Sequence, residues 1–190
     1  MRVGVLALQG DFREHAATLE RLGAETSLVR TAADLDAVDA LVIPGGESTA
    51  IGKLADWNGL VEPLRERIKS GMPTLGTCAG MIFLAEATAD GMSQVQLGVL
   101  DVVVRRNAFG RQVDSFEAEI AVDGLSDPIN AVFIRAPWIE KVGQSVDVLA
   151  EIDGHPVVVR QDSIIATSFH PELTGDGRLH TLFLDMIGED

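Results

Sequence analysis

The first half of the chain alternates short apolar runs with segments in which apolar residues recur every three or four positions. The runs predict strands over residues 2–8, 26–30, 40–43 and 73–76. The helical spacing predicts helices over residues 12–22, 33–38, 61–68 and 79–87, and a further helix that Ser48 or Thr49 would cap and that runs through Trp57. Asp11 and Glu14 form a capping-box signature at the start of the first helix. Strands that alternate with helices in this way are typical of βαβ units, which build a parallel sheet.

The second half of the chain is richer in strand patterns than in helical ones. Strands are predicted over residues 102–105, 116–122, 132–135, 146–152, 157–159 and 164–169, and a closing helix over 178–187. We therefore expect an added antiparallel region beside the parallel sheet. No repeat, low-complexity tract or linker interrupts the 190 residues, so we expect one domain over residues 1–190.

The net charge limits the kinds of molecule that the protein is expected to bind. The chain contains 15 Lys and Arg against 29 Asp and Glu, which gives a formal net charge of −14. A surface with this excess of negative charge repels phosphate backbones and anionic lipids, so we expect no nucleic-acid and no membrane partner. A single Cys excludes an internal disulfide, and no apolar run approaches the roughly 18 residues that cross a bilayer. These features predict a cytoplasmic protein.

The one cysteine lies in a turn with the composition of a nucleophile site. The sequence Gly76-Thr77-Cys78-Ala79-Gly80 stands between a predicted strand and a predicted helix. Glycines on both sides permit a strained turn that raises the central side chain above the sheet. The dipole of the following helix favours the thiolate of Cys78, and the Ala79 N–H can donate to an oxyanion beside the sulfur. The alternative is a small buried hydrophobic cysteine, which this setting makes the weaker interpretation.

A histidine and a glutamate follow the last predicted strand, separated by Pro171. Pro171 restricts His170 to extended conformations, in which residues two positions apart point to the same side, so His170 and Glu172 should share a face. A carboxylate beside an imidazole fixes its tautomer and stabilises the imidazolium, although an incidental pair in a surface loop is the alternative. Since Cys78 and His170 both follow predicted strands, we expect them at the same edge of the sheet. The remaining histidines lack such a setting and are interpreted as solvated or packed: His15, His155 and His180.

Two adjacent glycines, Gly45 and Gly46, follow the third predicted strand. The loop lacks the Lys of a phosphate-binding loop, and no Gly-x-Gly-x-x-Gly fingerprint follows the first strand, so no nucleotide is predicted. A simple turn with Ser48 or Thr49 as a helix cap is one interpretation. The other is that the backbone N–H near Gly46 turns toward an oxyanion, opposite the donor from Ala79.

The glycine loop, the cysteine turn and the His-Pro-Glu sequence together resemble the class I glutamine amidotransferases. That resemblance implies an α/β fold of the flavodoxin-like kind, with a doubly wound, mostly parallel sheet and helices on both faces. Many members have Gln four positions after the nucleophile, where this chain has Ile82. Residues 4–10, 44–49, 106–116 and 133–137 are similar to the glutaminase subunits of pyridoxal 5'-phosphate synthases. The resemblance covers nearly the whole chain and implies a single glutaminase domain.

The same resemblance implies a site and a reaction. Cys78 is the nucleophile, His170 and Glu172 complete a catalytic triad, and Gly46 and Ala79 form the oxyanion hole. L-Glutamine is hydrolysed to L-glutamate and ammonia without a metal or cofactor, and the ammonia passes to a separate synthase subunit that builds pyridoxal 5'-phosphate (vitamin B6). The residues implied to bind glutamine are Gly46, Glu47, Ser48, Arg106, Ile134 and Arg135.

Two adjacent arginines allow a geometric prediction. Neighbouring residues of a strand face opposite ways, so at most one of Arg105 and Arg106 points into the site. A guanidinium is the usual partner of a carboxylate such as that of free glutamine, and the family motif selects Arg106, whereas a surface ion pair is the ordinary role of a single arginine. Arg135 can contribute through its side chain or through its backbone.

Other classes of protein share parts of this pattern. Thiol hydrolases and related stress proteins also place a Cys between a strand and a helix, but their site histidine is not followed by Pro-Glu. A non-catalytic binding module of the same fold is a third interpretation, against which the presence of Cys78, His170 and Glu172 argues.

Overall fold

The structure is a computed structural model that describes residues 1–91, 93–109 and 115–188. Its strands are β1 (Arg2–Leu6), β2 (Glu25–Val29), β3 (Ala40–Ile43), β4 (Thr74–Thr77), β5 (Ala85–Thr88), β6 (Leu100–Arg105), β7 (Ser115–Ile120), β8 (Ile129–Ile134), β9 (Trp138–Val142), β10 (Asp147–Ile152), β11 (His155–Gln161) and β12 (Ile164–Thr167). Its α-helices are α1 (Phe12–Arg21), α2 (Ala32–Asp36), α3 (Ser48–Trp57), α4 (Val61–Lys69), α5 (Ala79–Leu84) and α6 (Arg178–Ile187), and a 3₁₀ turn spans Pro171–Leu173.

The central sheet has the strand order β10-β11-β12-β4-β3-β1-β2. Strands β2, β1, β3, β4 and β12 pair in parallel, and β11 and β10 extend one edge in antiparallel fashion. The parallel part has the strand order of flavodoxin-like sheets, in which ligands bind beyond the carboxyl ends of the strands. The predicted mostly parallel, doubly wound sheet is confirmed.

Both faces of the central strands are buried, which explains their continuous apolar runs. In β3, Leu41 and Ile43 pack into the core cluster that α3, α4 and α5 cover. Ala40 and Val42 of the same strand pack into the cluster that includes Phe183 of α6 and residues of α1. No helix of the described ranges is long and apolar enough to cross a membrane.

The expected antiparallel additions occur at three places. β11 and β10 extend the central sheet, and β7 and β8 form a two-stranded ribbon. β6 and β9 pair in antiparallel fashion in a small separate sheet, in which β5 is the parallel neighbour of β6. In that ribbon Phe116 lies opposite Phe133, and the two rings stack at a centroid distance of 4.6 Å. The ribbon packs over the face of the central sheet near the start of the His170 segment, because His170 N–H donates to Val132 O at 2.9 Å.

Several predicted bounds are wrong, for identifiable reasons. The helix predicted over residues 79–87 ends at Leu84, because the next residues form β5 and pair with β6. Strand β9 was not predicted, since its sequence Trp-Ile-Glu-Lys-Val mixes charged and apolar residues over only 5 positions. Residues 110–114, which belong to the motif quoted over 106–116, lie outside the described residues.

Candidate active site

Cys78 forms the turn between β4 and α5. Its backbone angles are φ 48° and ψ −105°, a conformation that a residue with a Cβ adopts at a cost. The Cys78 N–H donates to Thr167 O at 2.8 Å, which fastens the turn to β12. Helix α5 approaches β3 so closely that a Cβ on Gly80 would lie 2.1 Å from Ile43 O. The strained strand-to-helix turn expected from the sequence is therefore present.

His170 lies beside this turn because β12 is the parallel neighbour of β4, with Thr167 opposite Thr77. Its side chain lines the same cavity as that of Cys78. Its Nδ1 lies 2.7 Å from Glu172 Oε1. The predicted contact between His170 and Glu172 forms, but not through an extended chain, because Glu172 lies in the 3₁₀ turn.

The charges at this site favour a protonated imidazole. Burial lowers the pKa of His170, but its hydrogen bonds with Cys78 and Glu172, and the charges of both groups, outweigh burial and raise the pKa to about 10. Burial raises the pKa of Glu172, against the lowering effect of the hydrogen bond and charge of His170. The imidazolium is thus placed between two groups that stabilise its positive charge.

The glycine loop is fastened to the segment that follows β1. Gly45 O accepts a hydrogen bond from Asp11 N–H at 3.2 Å, and Glu47 N–H donates to Gln9 Oε1 at 2.7 Å. Since C=O and N–H of a trans peptide point in opposite directions, the first bond turns the Gly46 N–H away from α1. Gly46 has φ 153°, and a Cβ on it would lie 2.3 Å from Gln9 Oε1. Only glycine fits this loop as it stands.

The structure corrects the predicted cap of α3. Glu47, rather than Ser48 or Thr49, is the N-cap, and its carboxylate accepts from the N–H groups of Thr49 at 3.0 Å and Ala50 at 2.7 Å. Partial burial raises the pKa of Glu47, but these donors and the charge of Arg106 lower it below its usual range. The carboxylate of Glu47 is therefore ionised and largely occupied by the helix.

The capping box predicted at α1 is also wrong. Within the described residues, the Asp11 side chain makes no capping hydrogen bond. Its Oδ2 lies instead 3.4 Å from His170 Nδ1. Asp11 therefore brings a second carboxylate toward the imidazole, a position that its sequence pattern did not suggest.

Four residues at or just beyond the ends of β6 and β8 line the same cavity as Cys78, and we call them the outer wall: Arg106, Asn107, Ile134 and Arg135. Asn107 and Arg135 have positive φ values of 47° and 43°, respectively. Arg106 Nη1 donates to Gln94 Oε1 at 3.2 Å, and the same oxygen accepts from Ser48 Oγ at 3.2 Å. Gln94, which sequence analysis missed, thereby joins the outer wall to the glycine loop.

Arg105 and Arg106 take different positions, but strand alternation does not explain the difference, because Arg106 lies one residue past β6. Arg105 ends β6 and pairs on the surface with Glu140, with Nε 2.8 Å from Oε2. Arg106 follows the strand and lines the cavity.

A cavity of about 380 Å³ brings the expected site residues together. Every one of them lines it except Glu172, which is buried behind His170. A larger cavity of about 550 Å³ lies near Lys69, Asp101 and Ile164, away from Cys78. The lining residues of the smaller cavity that were not expected to bind are Gln9, Asp11, Ile82 and Asn107.

One cluster in the described ranges has ligand atoms close enough for a metal ion. Asp11, His170 and Glu172 bring such atoms within 4.8 Å of one another. Two of these residues already form the imidazole–carboxylate pair, so we assign the cluster to that pair.

His15 and His180 were interpreted as solvated or packed, and both are fully buried. His15 also reaches the site, since its Nε2 lies 3.2 Å from Glu172 Oε2. The available signal was the helical spacing of His15 with Leu19, which places both on the inward face of α1.

The chain matches the SNO glutamine amidotransferase family over residues 5–189. A protein of Mycolicibacterium smegmatis named pyridoxal 5'-phosphate synthase subunit PdxT is 60% identical over 189 residues, which cover 97% of this chain and 98% of the relative. A protein of Mycolicibacterium vanbaalenii with the same name is 59% identical over 187 residues, or 96% of each chain. A crystal structure described as a glutamine amidotransferase matches with a TM-score of 0.94 at 52% identity and covers 98% of both chains. These similarities extend over all the strands, helices and loops that surround the cavity.

Proposed function

The chain belongs to the SNO glutamine amidotransferase family and is a glutaminase of the class I type, and we propose that it works through a triad of Cys78, His170 and Glu172. One observation carries this proposal. His170 lines the same cavity as Cys78, the thiol of Cys78 helps to raise the pKa of His170, and Nδ1 of His170 lies 2.7 Å from Glu172 Oε1. This is the order of contacts that a nucleophile, a proton-transferring base and an orienting acid require.

In the proposed first half-reaction, the Cys78 thiolate attacks the side-chain carboxamide carbon of glutamine. The oxyanion that forms accepts hydrogen bonds from the N–H groups at Ala79 and Gly46. Because Nδ1 of His170 is bonded to Glu172, Nε2 faces the sulfur and gives its proton to the leaving nitrogen. The C–N bond breaks, ammonia leaves and a γ-glutamyl thioester remains on Cys78.

In the second half-reaction, neutral His170 takes a proton from water. The resulting hydroxide adds to the thioester carbonyl, the C–S bond breaks, and glutamate leaves with the Cys78 thiolate restored. Glu172 holds the ring and stabilises its positive charge in both halves. The protons balance over the cycle, so we propose that the reaction needs neither metal nor cofactor.

The outer wall and the glycine loop are proposed to bind the rest of the substrate. Arg106 lines the cavity and carries a guanidinium suited to the α-carboxylate of glutamine. The remaining proposed contacts come from residues that line the same cavity: Gly46, Glu47, Ser48, Ile134 and Arg135.

The names of the relatives support a proposal about partners. Because these relatives are named as subunits of pyridoxal 5'-phosphate synthase, we propose that residues 1–190 form one glutaminase domain that supplies ammonia to a separate synthase subunit. We place the reaction in the cytoplasm, where reducing conditions keep the only cysteine unoxidised.

The proposal is tested by glutamate release from glutamine, measured with the cognate synthase subunit present. Cys78→Ala should lower turnover by about 10⁴-fold or more, since it removes the nucleophile. It should leave the protein folded, since only a small side chain is lost. Turnover by Cys78→Ala above about a tenth of the wild-type value would contradict the triad.

A further inference from the structure

His15 is a buried titratable residue that the reaction described above does not use. It lies on α1 with no exposed surface, and its two ring nitrogens contact different elements. Nε2 lies 3.1 Å from Thr77 Oγ1 and 3.2 Å from Glu172 Oε2, and Nδ1 lies 2.9 Å from His180 Nε2. His15 therefore contacts the residue before the nucleophile and the acid of the triad at once.

The oxygen that His15 approaches is the one that His170 does not use. Glu172 Oε1 is bonded to His170, whereas Oε2 is buried and makes no hydrogen bond of regular geometry within the described ranges, although His15 Nε2 lies only 3.2 Å away. A buried carboxylate oxygen without a donor destabilises the ionised form. A donor at His15 Nε2 would therefore stabilise the charge on which the imidazolium of His170 depends.

The surroundings of His180 select the tautomer of His15. If His15 carried its proton on Nδ1, its bare Nε2 would face a carboxylate oxygen, and His180 would bury an unpaired Nδ1–H, because that nitrogen has no partner among the described residues. With the proton on Nε2, His180 Nε2–H donates to His15 Nδ1, and His15 Nε2–H faces Glu172 and Thr77. The second arrangement leaves only one lone pair unpaired, so it is the favoured one.

We propose that His15 is a positioning residue of the glutaminase, which holds the free oxygen of Glu172 in place and is itself held by His180. This inference rests on the proposed triad and adds two residues behind it. The resulting chain runs from His180 through His15, Glu172 and His170 to Cys78. It joins α6 and α1 to the nucleophile turn through the interior of the protein.

The charge states agree with this role. Burial, together with the charges of His180 and His170, holds the pKa of His15 well below its usual range. Burial and the nearby charge of Arg21 lower the pKa of His180 to about 4. Both rings are therefore neutral at neutral pH, as a chain of donors ending on a carboxylate requires.

The test compares variants of His15 in the complex with the synthase subunit. His15→Leu should lower kcat by about 10- to 100-fold, the usual effect of losing a hydrogen bond to a charged group, with little change in the KM for glutamine. The alkaline limb of the kcat/KM profile should move to lower pH, since a loosened Glu172 stabilises the His170 imidazolium less. The groups that face His170 and contribute to that limb are Cys78, Glu172, Asp11 and His15.

Rescue distinguishes positioning from packing. His15→Gln places an amide N–H at the position of Nε2 and should recover most of the lost kcat, whereas His15→Asn reaches only the position of Nδ1 and should not. Leu19→Ala, one turn along the same inward face of α1, is the matched control and should lower the melting temperature without moving kcat or the alkaline limb. Should His15→Leu fail to fold, the Gln and Asn variants decide between the two roles.

The outcomes separate this inference from the proposed function. An inactive wild type, or an active Cys78→Ala, overturns the triad and the positioning role together. An active wild type and an inactive Cys78→Ala, with wild-type kcat and pH profile in His15→Leu, overturn only the role of His15. Equal activity of His15→Gln and His15→Asn overturns it as well.

Discussion

The triad and the outer wall face each other across one cavity but are built differently. Cys78, His170 and Glu172 are 6%, 5% and 6% exposed and follow two buried, parallel strands. In the outer wall Ile134 is 37% exposed and Arg135 is exposed, and both lie at the end of an antiparallel ribbon outside the central sheet. The difference teaches that the central sheet holds the proposed triad rigidly, whereas the added strands carry the exposed part of the proposed substrate site. Changes in the two regions should therefore separate into effects on kcat and effects on KM.

Of the substitutions that compare the triad with the outer wall, Glu172→Gln should have the largest effect on kcat. The amide keeps an oxygen for His170 but removes the charge, and its NH₂ group would meet the proposed donor on His15. We expect kcat to fall by about 10²- to 10⁴-fold with a KM close to wild type. Steady-state kinetics of glutamate release measure both values, and an unchanged kcat would show that the carboxylate is dispensable.

Gly46→Val tests the loop between the two regions. Its positive φ of 153° and the Gln9 side chain 2.3 Å from a Cβ force the loop to move, which removes one oxyanion donor. We expect kcat to fall by about 10²- to 10³-fold, with Cys78 still open to alkylation by iodoacetamide.

Gly59→Val is the control for that variant. Gly59 has a positive φ of 63°, but a Cβ there meets nothing within 4 Å, so the backbone is strained without any contact to the cavity. Kinetics that fall equally in the two variants would reject the role of the Gly46 N–H.

Arg106→Ala and Arg105→Ala test whether the outer wall binds the substrate. Loss of a guanidinium that binds the α-carboxylate should raise the KM for glutamine by about tenfold and leave kcat nearly unchanged. Arg105 pairs with Glu140 on the surface, so its loss should change neither constant. Equal effects of the two substitutions would refute the assignment of Arg106 to the cavity and of Arg105 to the surface.

The smallest expected effect is on stability as the pH changes. The pKa of His170 is raised to about 10, so its stabilising contribution is complete below about pH 6.5 and is lost as the pH rises through about 10. The pKa of His180 is lowered to about 4, so its contribution is present above about pH 6.5 and is lost as the pH falls through about 4. The exposed outer wall should add little to the pH dependence of the free energy of unfolding on either side.

Denaturant unfolding across this pH range measures the effect. The free energy of unfolding should decline on both sides of about pH 6.5, and Cys78→Ala should flatten the alkaline side, because His170 loses one of its stabilising partners. An alkaline slope that stays the same in Cys78→Ala would contradict the coupling between the two side chains.

Local patterns in the sequence predict much of the fold. The bounds of Ala40–Ile43 and Arg178–Ile187 agree with those predicted, because a continuous apolar run marks the strand and clear helical spacing marks the helix. Strand β9 has no such pattern, and its pairing with β6 exists only in the folded chain. Helix α5 was predicted too long because its apolar sequence continues into β5, which pairing rather than propensity determines.

The sequence likewise predicts some contacts of the site and not others. Glycine spacing and the His-Pro-Glu order predict which side chains meet at the sheet edge, since parallel strands place their ends together. The contacts of Asp11 and His15 with His170 and Glu172 join segments that are distant along the chain. The helical spacing of His15 with Leu19 indicates only that His15 faces inward, and it does not identify the partners of His15. The cap at Glu47 was missed because Ser and Thr are the usual N-cap residues, while here the carboxylate one position earlier takes both N–H groups.

The central claim is that Cys78 carries the γ-glutamyl group, and mass spectrometry of rapidly quenched enzyme tests it most directly. Wild-type protein and Glu172→Gln, mixed with glutamine in the presence of the synthase subunit, would be acid-quenched, digested and mapped peptide by peptide. The account predicts a γ-glutamyl adduct on the peptide that contains Cys78, and no adduct in Cys78→Ala. Release of glutamate with no adduct on Cys78, or with an adduct on another residue, would contradict it.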